Sequence, residues 1–139
     1  MFLTLLLAAT PHVSLGAPDA SGCASEVRLD GRALTGGPAP FCIREAVSVV
    51  LEDTPLVVLR VDAPHRFEER VRSRVFVYRV VDGRLVPRFL GSGFSSREVS
   101  RFVPLEGALG LDTRLESGAH ETLRCVFDGF PLVCSELSP

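Results

Sequence analysis

From residue 44 onward the chain is a succession of short apolar runs, rich in Val, Leu and Phe and bounded by turn residues, which is the signature of an all-β domain. The pattern predicts strands over 46–52, 56–62, 74–81, 85–90, 99–105, 109–115, 122–127 and 130–137. In the first two, apolar residues occupy both alternating faces: Val47, Val49 and Leu51 against Val50, then Leu56 and Val58 against Val57, Leu59 and Val61. Strands of that kind lie in the middle of a sheet or between layers. In 109–115, by contrast, Leu109, Leu111 and Leu115 alternate with Gly110, Asp112 and Arg114, giving one buried face and one wet one. Residues 17–43 read as a loop-rich lead-in, punctuated by Gly31, Gly36, Gly37, Pro38 and Pro40.

The runs repeat. REAVSVVLE at 44–52 is matched by REVSRFVPLE at 97–106 with one residue inserted, and Arg60-Val61-Asp62 is matched by Arg114-Leu115-Glu116. A polar loop carrying one His, His65 or His120, follows in each copy, and a strand then leads into Asp82-Gly83 or, 46 residues later, Asp128-Gly129. Asp-Gly between two apolar runs predicts a two-residue type I′ hairpin turn, because both central residues need positive φ. Pro87 and Pro131 follow the two turns, and a proline cannot donate to a ladder, so each last strand should be an edge strand or carry a bulge. Val27-Arg28-Leu29-Asp30-Gly31, 52 residues before the Asp82 copy, matches the tail of an earlier, degenerate copy.

A four-stranded antiparallel unit of this length, duplicated in sequence, resembles a β-propeller blade. The resemblance implies an all-β domain at 44–139 built of two similar units, 44–92 and 97–138. Two units do not close a propeller, so the resemblance leaves a small two-sheet β structure derived from such units, a fragment of a longer repeat protein, or a subunit completed by a protein partner or by self-association. The alternative architecture is a small β-sandwich without duplication.

The first sixteen residues contain an apolar core from Phe2 to Ala9 and small residues at Ser14 and Gly16, a pattern that predicts a signal peptide over 1–16 cut before Ala17. No other stretch approaches the ~20 apolar residues of a membrane span. Four cysteines in an exported chain favour two disulfides, with Cys23 joined to Cys42 and Cys125 to Cys134, the second pair flanking a predicted hairpin. Their spacing resembles no zinc site. Ala20-Ser21-Gly22-Cys23 is also a loose likeness of a lipobox, which would anchor the protein by a lipid on Cys23. The expected location is secreted or periplasmic.

Composition narrows function by exclusion. With a net charge of -2 and Arg interspersed among carboxylates, there is no basic field for nucleic acid. The densest basic run, 66–74, contains Glu68 and Glu69 and reads as a solvated loop. Ser92 in Gly91-Ser92-Gly93 lacks the strand-to-helix setting and the base that a nucleophile needs, so it reads as a linker. No catalytic constellation, cofactor motif or metal site is expected. Phe76 and Tyr78 share a strand face and read as core. Phe127 and Phe130, flanking Asp128-Gly129, are the candidate contact residues for a protein partner. Three functions follow from these features: a non-catalytic binding or structural module, an inhibitor of an extracellular enzyme using the loop between Cys125 and Cys134, and a small metal-dependent enzyme using the His65 and His120 loops.

Overall fold

A computed structural model describes residues 12–38, 41–65, 68–91 and 97–137 of the 139-residue chain. The described residues form strands without helices, in three antiparallel sheets. Sheet A is β1 (Val13–Leu15), β2 (Val27–Leu29) and β3 (Arg32–Leu34). Sheet B is β4 (Cys42–Leu51), β5 (Thr54–His65), β6 (Glu68–Val81) and β7 (Arg84–Phe89). Sheet C is β8 (Arg97–Val103), β9 (Leu109–Leu115), β10 (His120–Phe127) and β11 (Leu132–Glu136). In B and C the strands lie side by side in chain order, so each is a four-stranded meander, as the two repeat-like units require.

The three sheets stack, and the pattern of β4 and β5 explains the order. One face of sheet B, with Leu51, Leu56, Val58, Val75 and Val77, packs against Phe102, Leu109, Leu111, Leu123, Cys125 and Phe127 of sheet C. Its other face, with Ile43, Val57, Leu59, Val61, Phe76 and Tyr78, packs against Val27, Val13, Leu15 and Leu34 of sheet A. Strands apolar on both faces therefore occupy the middle layer, where both sides are removed from water. Burial also pushes the Tyr78 phenol well above its ordinary range. Sheet C ends the stack with a wet face on which Asp112 pairs with Arg101 at 2.7 Å and Glu98 with Arg114 at 2.8 Å.

Several sequence expectations change. The lead-in contains β2 and β3, joined by Asp30–Gly31 in a left-handed turn with φ of 50° and 83°. Of the proposed signal segment, residues 1–11 lie outside the described residues, while Val13–Leu15 form β1 and pair with β2. The run 66–74 is not a solvated loop: residues 66–67 lie outside the described residues, but β6 begins at Glu68, and Arg72 and Arg74 are buried. Their charge is accommodated by polar partners, Glu116 at 2.6 Å from Arg72 and the Ala63 carbonyl oxygen at 2.9 Å from Arg74 Nε. The linker around Ser92 and Phe94 lies outside the described residues.

Edge strands fall where proline requires. β7 and β11 are both edges. Pro87 stands opposite Tyr78 in β6, and the register shifts there, with Val77 facing Phe89, so Arg88 is the extra residue of a β-bulge. A second bulge, between Ile43 and Glu45, leaves Arg44 without a facing partner in β5. Its guanidinium reaches Asp62 at 2.8 Å and the Ser21 carbonyl oxygen at 3.1 Å, tying the lead-in to the middle layer.

Candidate functional site

The candidate contact residues sit at the β10–β11 end of sheet C. Cys125 and Cys134 face each other across these strands and are joined by a disulfide. Two pairs further on, Phe127 faces Leu132, and the ladder stops because Pro131 has no N–H to offer it. Four residues, 128–131, close the loop. Asp128 does not adopt a positive φ; Gly129 does, at 69°, and Asp128 N–H donates to the Pro131 carbonyl oxygen at 3.0 Å. The two-residue turn expected at Asp128-Gly129 is thus replaced by a wider loop, in contrast to Asp82–Gly83, whose φ values of 51° and 75° are those of the tight turn.

That width separates the two phenylalanines. Phe127, still on the strand, is only 8% exposed and belongs to the core between sheets B and C. Phe130, on the loop, is 86% exposed. Arg88 lies between them. Re-aimed by its bulge in β7, it places its guanidinium carbon 3.9 Å from the Phe127 ring centroid and 5.5 Å from that of Phe130. Its Nη1 donates to the Phe130 carbonyl oxygen at 2.7 Å and its Nη2 to that of Gly129. A residue of one unit therefore grips the loop of the next. The sequence signal for this clamp was Pro87, which forces the bulge but does not name the side chain that the bulge redirects.

The second disulfide joins Cys23 to Cys42. Asp19 organises the turn before Cys23, accepting hydrogen bonds from the Ser21 hydroxyl at 2.7 Å and from the Ser21 and Cys23 N–H groups at 2.9 and 3.0 Å. Those bonds, the Ser21 hydroxyl first, hold its carboxyl below the usual range. Both disulfides have the connectivity expected from the sequence. A Cys23 in this bond has no thiol for a lipid.

The histidines are not brought together as a site among the described residues. His120 opens β10, exposed, facing Arg114. His65 is the last residue of β5, and its side chain lies outside the described ones. Among the described residues, no three His, Cys, Asp or Glu side chains gather where they could hold a metal ion, and no helix is long and apolar enough to cross a membrane.

A cavity of about 470 Å³ lies between β4 and the β8–β9 connection and is lined mainly by Val47, Val49, Phe102, Leu105 and Leu109. Glu45 stands at its side, but its carboxylate is engaged, accepting from Arg60 Nε at 3.0 Å and from Phe102 N–H at 3.3 Å. No protein-family model, curated protein or solved structure matches the chain.

Proposed function

We propose that the chain is a non-catalytic binding module of an oxidising, extracytoplasmic compartment, and that it recognises a protein partner through Phe130. One observation carries the reading: an aromatic ring 86% exposed on a loop held by a disulfide beneath it and by Arg88 at its side. An exposed ring gains most from burial, and a loop already fixed loses little conformational freedom when a partner covers it. The two disulfides support the compartment. The Gly129 and Phe130 carbonyl oxygens are occupied by Arg88, and Pro131 follows, so a partner meets the ring and not a free stretch of main chain. This favours side-chain recognition over inhibition of a protease by substrate mimicry.

The test compares wild type with Phe130→Asp, each immobilised and exposed to the extracytoplasmic fraction of the source cells. Recovery of a protein by wild type that Phe130→Asp loses, at unchanged thermal unfolding, supports the reading. Equal recovery by both overturns it.

A further inference from the structure

Sheets B and C bury the core between them but diverge along one side. β8 packs mainly over β6 and only touches β4, so Val47 and Val49, on the face of β4 turned toward sheet C, are only partly buried. Between them and the β8–β9 connection lies the hollow of about 470 Å³, with the exposed Val50 and Pro104 at its mouth. Protein interiors leave few voids larger than a water molecule, and a volume of this size falls in the ~300–1,000 Å³ range of small-molecule sites.

The strand sets the shape of the hollow. Its lining runs from Glu45 to Val50 along β4, five steps of ~3.3 Å, so it is about 16 Å long and on average about 30 Å² in section. That section is close to one extended hydrocarbon chain. A single anchoring side chain from a protein partner would leave most of the length empty.

Polarity is concentrated at one end. Val47, Val49, Leu105 and Leu109 line the body, while Glu45 stands at the end, its Oε1 accepting from Arg60 Nε at 3.0 Å and from Phe102 N–H at 3.3 Å. Oε2 of Glu45 accepts from none of the described residues. The ion pair decides the charge of a head group placed there. A carboxylate would meet Glu45, an ammonium would meet Arg60, and either would lose hydration without a net opposite charge to replace it. A hydroxyl loses less and can donate to Oε2.

We propose that the hollow binds a neutral single-chain amphiphile, with its hydrocarbon along Val47, Val49, Leu105 and Leu109 and a hydroxyl donating to Glu45. Phe130 takes no part in this site, so failure of one reading leaves the other standing.

The full-length, oxidised protein is titrated with monolauroylglycerol, below the concentration at which it aggregates, by displacement of the fluorescent probe N-phenylnaphthylamine. Laurate and laurylammonium serve as chains of equal length with charged heads. The glycerol ester should bind saturably, and the two ions should bind at least about 10-fold more weakly. Val49→Trp fills the hollow and should abolish binding. Glu45→Gln leaves Arg60 without its carboxylate and should tighten laurate binding by about 10-fold. Absence of saturable binding by the wild type overturns the proposal, as do equal affinities for the three heads or undiminished binding by Val49→Trp. So does binding that falls as protein concentration rises, which would put a second copy in the hollow. Should Val49→Trp fail to fold, the wild-type order of head groups and its change in Glu45→Gln decide by themselves.

Discussion

Arg88 on β7 of the middle sheet stacks on Phe127 of the neighbouring sheet at 3.9 Å and caps two carbonyl oxygens of the loop that follows it. The contact exists because Pro87 cannot sit in a regular ladder, and the bulge it imposes turns the next side chain toward sheet C. Arg88→Ala removes a cation–π contact and two charged hydrogen bonds at a partly exposed site. It should lower stability by about 1–3 kcal/mol in urea unfolding. Arg88→Lys keeps the charge but not the planar fork and should restore less than half of the loss. Equal stability of all three would show that the clamp does not hold the loop.

The disulfides differ in what they close. Cys23–Cys42 spans 19 residues and joins the lead-in to β4, whereas Cys125–Cys134 spans 9 and joins strands already paired in register. Loop-closure entropy gives roughly 3 kcal/mol for the longer and somewhat less for the shorter. Denaturation without reductant should release no thiol on titration. The Cys23→Ser, Cys42→Ser variant should be less stable than the Cys125→Ser, Cys134→Ser variant, and the reverse order would show that the lead-in contributes little to the fold.

How far the sequence could be read depended on the length over which a pattern runs. β4 and β5, ten and twelve residues long, displayed apolar side chains on both faces, and the middle layer follows from that. β9 announced its wet face through Asp112 and Arg114, whereas Gly110, expected on the same face, is buried against Val103 and Leu105. The three strands of sheet A have three residues each, too few to show a period, and Arg28 and Arg32 interrupt what pattern there is. Asp82-Gly83 and Asp128-Gly129 are the same dipeptide, but Pro131 ends the ladder early and opens the second turn. Arg72 and Arg74 read as solvated because a run of charges carries no sign of burial in the sequence; Glu116, which pairs with Arg72, is contributed by the turn after β9, 44 residues away. Phe130 was legible as a candidate from its place beside the Asp128-Gly129 turn, although the strand expected from it starts only at Leu132. Arg88 was not, since nothing in the chain pattern identifies which residue a bulge redirects.

Gly110 faces a closer constraint than any turn glycine. A Cβ there would lie 2.4 Å from the Val103 carbonyl oxygen and 2.9 Å from Cδ1 and Cγ of Leu105, and the first of these is main chain that cannot swing aside. Gly110→Ala should cost about 1–3 kcal/mol through forced movement of β8. Gly129→Ala, with nothing within 4 Å of its Cβ, should cost only the penalty of its positive φ, roughly 1 kcal/mol. Chemical denaturation of both variants separates crowding from conformation, and a smaller loss at Gly110 would mean that β8 shifts freely.

On the wet face of sheet C, Asp112 accepts a hydrogen bond from the Thr122 hydroxyl at 2.6 Å and another from Arg101 Nε at 2.7 Å. The Thr122 bond first, and Arg101 after it, hold the Asp112 carboxyl below its ordinary range. A carboxyl whose folded pKa is depressed stabilises the fold above its unfolded pKa of about 3.9, and that contribution is lost as pH falls through the folded value. Asp112→Asn keeps the shape and removes the charge. Its deficit against wild type should therefore be full at about pH 6 and shrink below about pH 4 as the wild-type carboxyl becomes protonated. Solvent screens this shallow site, so the full difference should stay within about 1 kcal/mol. Urea midpoints measured for both proteins across that interval check the sign: a deficit independent of pH would assign the loss to the amide's geometry and not to the carboxylate's charge.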